Sequence, residues 1–306
     1  MTSIRLSVAM ANFNHAHFLA TRIPSILEQL GPNDEFVIVD DGSTDHSVAL
    51  IESYAHADGR IRLIRHLKNR GVIEAANRSF QESRGKYLVS LSADDRILPG
   101  FIDKTMKVLE NHPDIALCCS NCALWYDGFP DKDPSQIYTT PLIPGIEKPT
   151  VFLPSQITRV FSKTPFWIPG HTSIIKRDLL HKYGGMDAGL GYLCDWFLIH
   201  SIAFFHGAAY IPEDLSVWRQ DIDSYSKQAS PDYVSRIEMR IFGLLCEKER
   251  KSLRKKFRKS GLLRLYVRKR FFQLCVFPRY WDFILFFLIR GVKNRCKRLF
   301  TKRTKI

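Results

Sequence analysis

The sequence predicts an α/β fold: a mainly parallel sheet flanked by helices, followed by a basic helical C-terminal extension. Two observations predict the sheet. Short apolar runs of strand length alternate with segments of helical periodicity, and acidic clusters stand where two of those runs end. Charge sets the extension apart: residues 247–306 carry 21 Lys/Arg against 3 Asp/Glu, so the formal net charge of +14 divides into −4 for residues 1–246 and +18 for the tail. At 306 residues and 45% hydrophobic composition the chain has enough apolar material for a sizeable core. The expected division is residues 1–225 as one large domain and 226–306 as a basic, aromatic-rich helical region.

The elements follow in order. Ile4, Leu6, Val8 and Met10 alternate with other residues and run into Asn12-Phe13-Asn14, a first strand ending in a polar loop. Leu19, Ile23, Ile26, Leu27 and Leu30 keep helical spacing until Gly31-Pro32 stops them. Phe36 to Val39 is continuously apolar, as a strand buried on both faces is, and delivers Asp40-Asp41-Gly42-Ser43 to its carboxyl end. A helix follows from about Ser47. Ile61 to Ile64 reads as a third strand, Val72 to Ser83 as a helix, and Tyr87 to Leu91 as a fourth strand ending at Ser92-Ala93-Asp94-Asp95. Ligands of such sheets bind beyond the carboxyl ends of the strands, where both acidic clusters fall. Prolines and glycines thicken from Asp127 to Pro169, predicting a loop-rich excursion. Strand-like Ser173 to Lys176, a short helix near Asp178 to Tyr183, and a helix beginning near Asp195 complete the body.

Each candidate residue has a chemical and a plain structural reading. An Asp pair on a strand-end loop, Asp94-Asp95, suits a hard divalent cation, and equally suits capping of the next helix. Asp40 to Asp45 forms an Asx-type turn on the plain reading, yet adjacent carboxylates at the end of a buried strand are costly without partners. Asp195 is either a base facing a substrate or an acid favoured by the dipole at a helix start. His171, after Trp167-Ile168-Pro169-Gly170, is either structural or a phosphate or substrate contact. Cys119-x-x-Cys122 lacks the second Cys/His pair that zinc requires, and the seven cysteines form no disulfide framework, which favours a reducing cytosol. Met1 to Met10 has no basic segment leading into a long apolar one, so export is not expected.

Taken jointly, the motifs resemble the inverting family 2 glycosyltransferases of the GT-A fold. They are Ser7-Val8-Ala9-Met10-Ala11-Asn12-Phe13-Asn14, then Val37-Ile38-Val39-Asp40-Asp41-Gly42-Ser43-Thr44-Asp45, then Leu91-Ser92-Ala93-Asp94-Asp95. The likeness continues through Asn69-Arg70-Gly71, Ala76-Asn77 and Gly85-Lys86-Tyr87 to Gly184-Gly185-Met186-Asp187 and Asp195, about the first 220 residues. It implies a nucleotide-diphospho-sugar donor, a saccharide acceptor and a Mg or Mn cation. By the same resemblance Asp41 reads the donor base and Asp94 and Asp95 hold the metal. Ala11, Phe13, Asp40, Asn77, Ser92, Ala93 and His171 lie along the donor, and Asp195 is the catalytic base. Three positions depart from the family: Ser92 replaces a common Asp, Cys194 replaces one of an acid pair, and Trp218-Arg219-Gln220-Asp221 replaces an aromatic-Arg-x-His pattern, leaving Asp221 as a substituted metal ligand. The competing readings are a sugar-phosphate nucleotidyltransferase, although a Gly-rich phosphate loop with Arg near the N-terminus is missing, and an inactive membrane-docked binding protein.

The tail interleaves Phe271, Phe272, Leu274, Val276, Phe277 and Trp281 to Ile289 with Arg268-Lys269-Arg270, Arg290, Lys293, Arg295, Lys297 and Arg298. Pro278, Arg279 and Asp282 interrupt it far short of a spanning helix. It therefore predicts in-plane attachment to an anionic membrane surface, on the inner face of the cytoplasmic membrane, with a lipid-linked or lipopolysaccharide-type acceptor and no nucleic acid. The plain alternative is ordinary C-terminal helices with solvated charges.

Overall fold

The computed structural model describes residues 3–127, 137–139, 141–164, 168–221 and 229–290. The chain divides into two compact units, residues 1–157 with 166–229, and residues 158–165 with 230–306.

The first unit opens with β1 (Leu6–Asn12), α1 (Ala16–Leu27), β2 (Asp34–Asp40), α2 (Ser47–Ala57), β3 (Ile61–Arg65), α3 (Val72–Glu82) and β4 (Tyr87–Ser92). These strands lie parallel in the order β3-β2-β1-β4. β1 and β2 are buried throughout, because helices cover both faces of a parallel sheet; the alternation read in β1 therefore does not mark a wet face. Register pairs Asn12 with Asp40 and Ala11 with Ser92, bringing both sequence motifs to one carboxyl edge.

Beyond β4 the sheet turns mixed. β5 (Arg96–Ile97), α4 (Phe101–Asn111), β6 (Leu117–Asp127), β7 (Ile137–Thr139), β8 (Thr150–Phe152) and α5 (Pro154–Lys163) follow, then β9 (Ser173–Lys176), α6 (Arg177–Lys182), α7 (Cys194–His206) and β10 (Ala208–Asp221). The full order is β3-β2-β1-β4-β9-β6-β10-β5, with β9 antiparallel to both β4 and β6 and β10 parallel to β6. Residues 127–169, predicted as loop, hold β7, β8 and α5. β6 and β10 were not foreseen as strands. β10 hides because Pro212-Glu213-Asp214 interrupts its apolar pattern, and the ladder accommodates them by register shifts on either side of Asp214. The stretch Ala188–His206 has the length and composition of a membrane span, but 72% of it is buried; α7 is a core helix, buried on nearly every side.

The second unit contains α8 (Pro231–Leu245), α9 (Lys251–Ser260), α10 (Arg264–Lys269), α11 (Phe271–Val276) and a further helix at 281–290. Ser230 caps α8 by accepting a hydrogen bond from Tyr233 N at 3.2 Å. Leu274, Tyr280, Phe283 and Ile284 are buried with Phe242 and Phe257. Part of the aromatic tail is thus ordinary core, while Phe272, Phe277 and Trp281 remain exposed. Lys293, Arg295, Lys297 and Arg298 lie outside the described residues.

Candidate active site

The β1 and β2 loops are tied together before any ligand is considered. Asp40 is buried and accepts from Asn12 Nδ2 at 2.8 Å, Ser43 Oγ at 2.6 Å and Ser43 N at 2.9 Å, so its charge is compensated inside the protein. Asn14, at φ 54°, accepts from Thr44 N at 2.8 Å. Asp41 is 2% exposed and receives Arg70 N at 3.0 Å, Gly71 N at 2.8 Å and His66 Nδ1 at 2.7 Å. Gly42 lets this loop approach so closely: its φ is +79° and a Cβ would sit 2.8 Å from the backbone carbon of Lys68. Asp40 and Asp41 are therefore both structural anchors of the loops that Ala11 and Phe13 adjoin. Phe13 is exposed, as a platform for a ring would be, and Ala11 is buried.

Asn77 is committed elsewhere. Its Nδ2 donates to Met186 O at 2.9 Å and its Oδ1 accepts from Met186 N at 2.8 Å, pinning α3 to the Gly184-Gly185-Met186 turn. Ala93 is fully buried behind the acidic pair.

Asp95, His171 and Asp195 line one cavity of about 310 Å³ together with Ala11, Ser92 and Trp218. Asp95 accepts from Ser92 N at 2.9 Å, and its Oδ1 lies 3.8 Å from His171 Nδ1. Burial raises the Asp95 carboxyl to about 6, helped by Asp94 and opposed by His171. Burial acts to lower His171, but the charge of Asp95, Cys122 and Asp195 prevails and raises it to about 9. His171 Nε2 meets Cys122 Sγ at 3.4 Å, so the Cys119-x-x-Cys122 pair splits: Cys122 faces the histidine, while Cys119 donates to Ala209 O. Among the described residues no group of three His, Cys, Asp or Glu is clustered as a complete metal cage.

Asp195 stands on the first turn of α7, accepting from Trp196 N at 2.7 Å and from Gly170 N. Burial raises its pKa above the ordinary carboxylate range, with those two donors and His171 pulling the other way. A Cβ on Gly170 would lie 2.9 Å from Asp195 Oδ2. Gly170→Ala is therefore expected to push the carboxylate off its place and lower kcat by about 10²-fold with donor affinity retained, since roughly 1 Å of misplacement costs that much. Steady-state kinetics with a calorimetric donor titration checks this.

Asp94 is partly buried like its neighbour but differs in its partners: among the described residues no hydrogen bond or ion pair engages its side chain. Basic residues lie around it. His15 and Arg22, both on or beside the first turns of α1, feel its charge, and both are lowered chiefly by burial. His15 Nδ1 and Arg22 Nε are buried without a partner among the described residues. Arg219 stacks on Phe18 at 4.6 Å and Trp125 at 5.9 Å. Sequence reasoning assigned no role to His15, Arg22 or Arg219, whose only signal was basic residues opening the first helix and the Trp218-Arg219 pair. The side chain of Asp221, and Trp167, lie outside the described residues.

Asp95, beyond the carboxyl end of β4, and Asp195 line the same cavity, where sheets of this kind take their ligands, and the family model for glycosyl transferase family 2 matches residues 7–184. The chain belongs to that family. It is 34% identical over 115 residues to an uncharacterized glycosyltransferase, YibD, of Escherichia coli, a match covering 37% of this chain and 33% of YibD. Glycosyltransferase GlyG of Streptococcus pneumoniae is 27% identical over 113 residues, 37% of this chain and 38% of GlyG. These matches thus span only about a third of the relatives' length. Among solved structures, S. aureus TarS 1-349 in complex with UDP-GlcNAc superposes with a TM-score of 0.64 at 15% identity, covering 91% of this chain and 79% of that one. The mannosyltransferase PcManGT of Pyrobaculum calidifontis, in complex with GDP-Man and Mn2+, gives 0.55 at 17% identity, covering 93% and 75%. The fold is that of these glycosyltransferases.

Proposed function

We propose that this chain transfers one sugar from a nucleotide-diphospho-sugar to a hydroxyl of a saccharide acceptor, with inversion, in assembly of a bacterial surface polysaccharide or lipopolysaccharide. The observation that carries the reading is the convergence of Asp95, His171 and Asp195 on one cavity beyond the end of β4. The acceptor oxygen attacks the anomeric carbon from the face opposite the diphosphate while Asp195 takes its proton; the bond from that carbon to the diphosphate oxygen breaks, and its electron pair leaves with the nucleoside diphosphate. A carboxylate with a raised pKa is a stronger base than an exposed one, which suits this step. Ala11, Phe13 and the loop anchored by Asp41 take the nucleotide.

Asp94 and Asp95 fit a hard divalent cation and would hold it: both offer carboxylate oxygens, and Asp94 has no partner among the described residues. Mg or Mn held there would neutralise charge on the leaving diphosphate. Arg22 and Arg219 add positive charge on the same side. The nucleotide sugars bound to TarS and PcManGT, and the Mn2+ in the latter, support this donor and this metal. The basic second unit supports placement at the inner face of the cytoplasmic membrane, where a lipid-linked acceptor is presented.

The test is release of nucleoside diphosphate from a panel of UDP- and GDP-sugars with Mg or Mn. Slow metal-stimulated hydrolysis of at least one donor is expected. Pyrophosphate exchange into a donor without such hydrolysis would replace the reading with nucleotidyl transfer.

A further inference from the structure

We infer that one face of the C-terminal unit, formed by Phe272, Phe277, Trp281, Leu285, Leu288 and Ile289, inserts into the interface of an anionic lipid bilayer. This rests on the membrane placement proposed above and adds to it the surface and the mode. Helix 281–290 is apolar on nearly every side: only Asp282 and Arg290 are charged. Its inner residues Phe283 and Ile284 are buried in the unit, whereas Trp281 is 50% exposed and Leu285, Leu288 and Ile289 are 55% exposed each. These four recur at helical spacing along one stripe, and Phe272, at 85%, and Phe277, at 47%, add aromatic surface from the neighbouring turns. An ordinary terminal helix would turn polar residues outward here.

Charge identifies the occupant. From Lys251 to Ile306 there are 19 Lys/Arg and one acid, Asp282. That acid is consumed: Asp282 Oδ2 accepts from Arg258 Nη1 at 2.7 Å and Oδ1 pairs with Arg254 Nη2, so among the described residues from Lys251 onward no acidic side chain is left unpaired to oppose an anionic surface. The apolar stripe runs directly into residues 291–306, which contain seven Lys/Arg and no acid. A second copy of this chain meeting the face symmetrically would bring two such cationic tails together without a countercharge, whereas an anionic headgroup layer supplies the countercharge and an apolar layer beneath it.

The experiment is co-sedimentation of the full chain with vesicles of phosphatidylglycerol and phosphatidylcholine in equal parts, and of phosphatidylcholine alone. The variant combines Phe272→Ser, Trp281→Ser and Leu285→Ser, which leaves the net charge unchanged; thermal melting and donor hydrolysis, both expected to be unaltered, confirm that fold and active site are intact. The wild type is expected to bind anionic vesicles and the variant to bind at least about tenfold more weakly, having lost three inserted apolar side chains. In brominated-lipid vesicles, tryptophan fluorescence should be quenched in the wild type and much less in Trp281→Phe. Equal binding of wild type and variant would overturn the inserting face while leaving charge-driven attachment standing. Absence of binding to anionic vesicles overturns both, and a wild-type dimer that the variant dissociates replaces the bilayer with a second copy.

Discussion

Asp195→Asn is expected to lower kcat by about 10³-fold, the middle of the range for loss of a general base, while calorimetric donor affinity in the presence of metal stays within about twofold. Asparagine keeps an acceptor oxygen for Trp196 N, but puts an NH2 in place of the second carboxylate oxygen and cannot take the hydroxyl proton. The wild-type pH profile carries the same information. Burial raises the Asp195 pKa, so the ionised base fills only as pH climbs through that raised value; kcat should decline on the acid side at higher pH than an exposed aspartate would give. That limb should vanish in the variant. An equal loss of donor affinity would instead make Asp195 a binding residue.

The second large effect belongs to Asp94. Asp94→Asn is expected to reduce transfer by about 10³-fold, corresponding to the several kcal/mol that a metal supplies at a leaving diphosphate. The fold should survive, because no described residue depends on the Asp94 side chain, and the melting temperature should be close to that of the wild type. Chelation of divalent ions should bring the wild type down to the same level. Near-wild-type turnover in chelator would remove the metal from the reaction and leave neutralisation to Arg22 and Arg219.

Local patterns were readable where the fold is local. β2, α2, β3, α3 and β4 fall within a residue or two of the sequence expectation because each is a single apolar run bounded by its own turn signals. β6 and β10 escaped because their pairing is remote: Tyr210 meets Cys119 and Val217 meets Ala123, relations that no periodicity within either strand encodes. The acidic residues were legible as types at strand ends, but their environments were not. Nothing in Asp40-Asp41 distinguishes a carboxylate caged by Asn12 and Ser43 from one holding the loop at Arg70 and Gly71, and nothing around His171 announces Asp95 and Cys122 as its neighbours. The tail was legible in composition alone; which aromatics turn inward is decided by packing around Phe242 and Phe257.

The position of β9 has a consequence for how the chain becomes a sheet. β4 and β6 are not neighbours; β9 lies between them, with Val89 and Cys118 both opposite Ile174. During synthesis, residues 3–92 can close as successive right-handed crossovers of short sequence separation, but β6 emerges roughly fifty residues before the strand that joins it to that half. Until β9 arrives, β4 and β6 each present an unpaired hydrogen-bonding edge, and the four-residue strand acts as a keystone that seals both at once. Assembly is therefore two-speed: a fast amino-terminal half, and a slower closure gated by the longest-range pairings in the sheet, during which those open edges need protection from other chains.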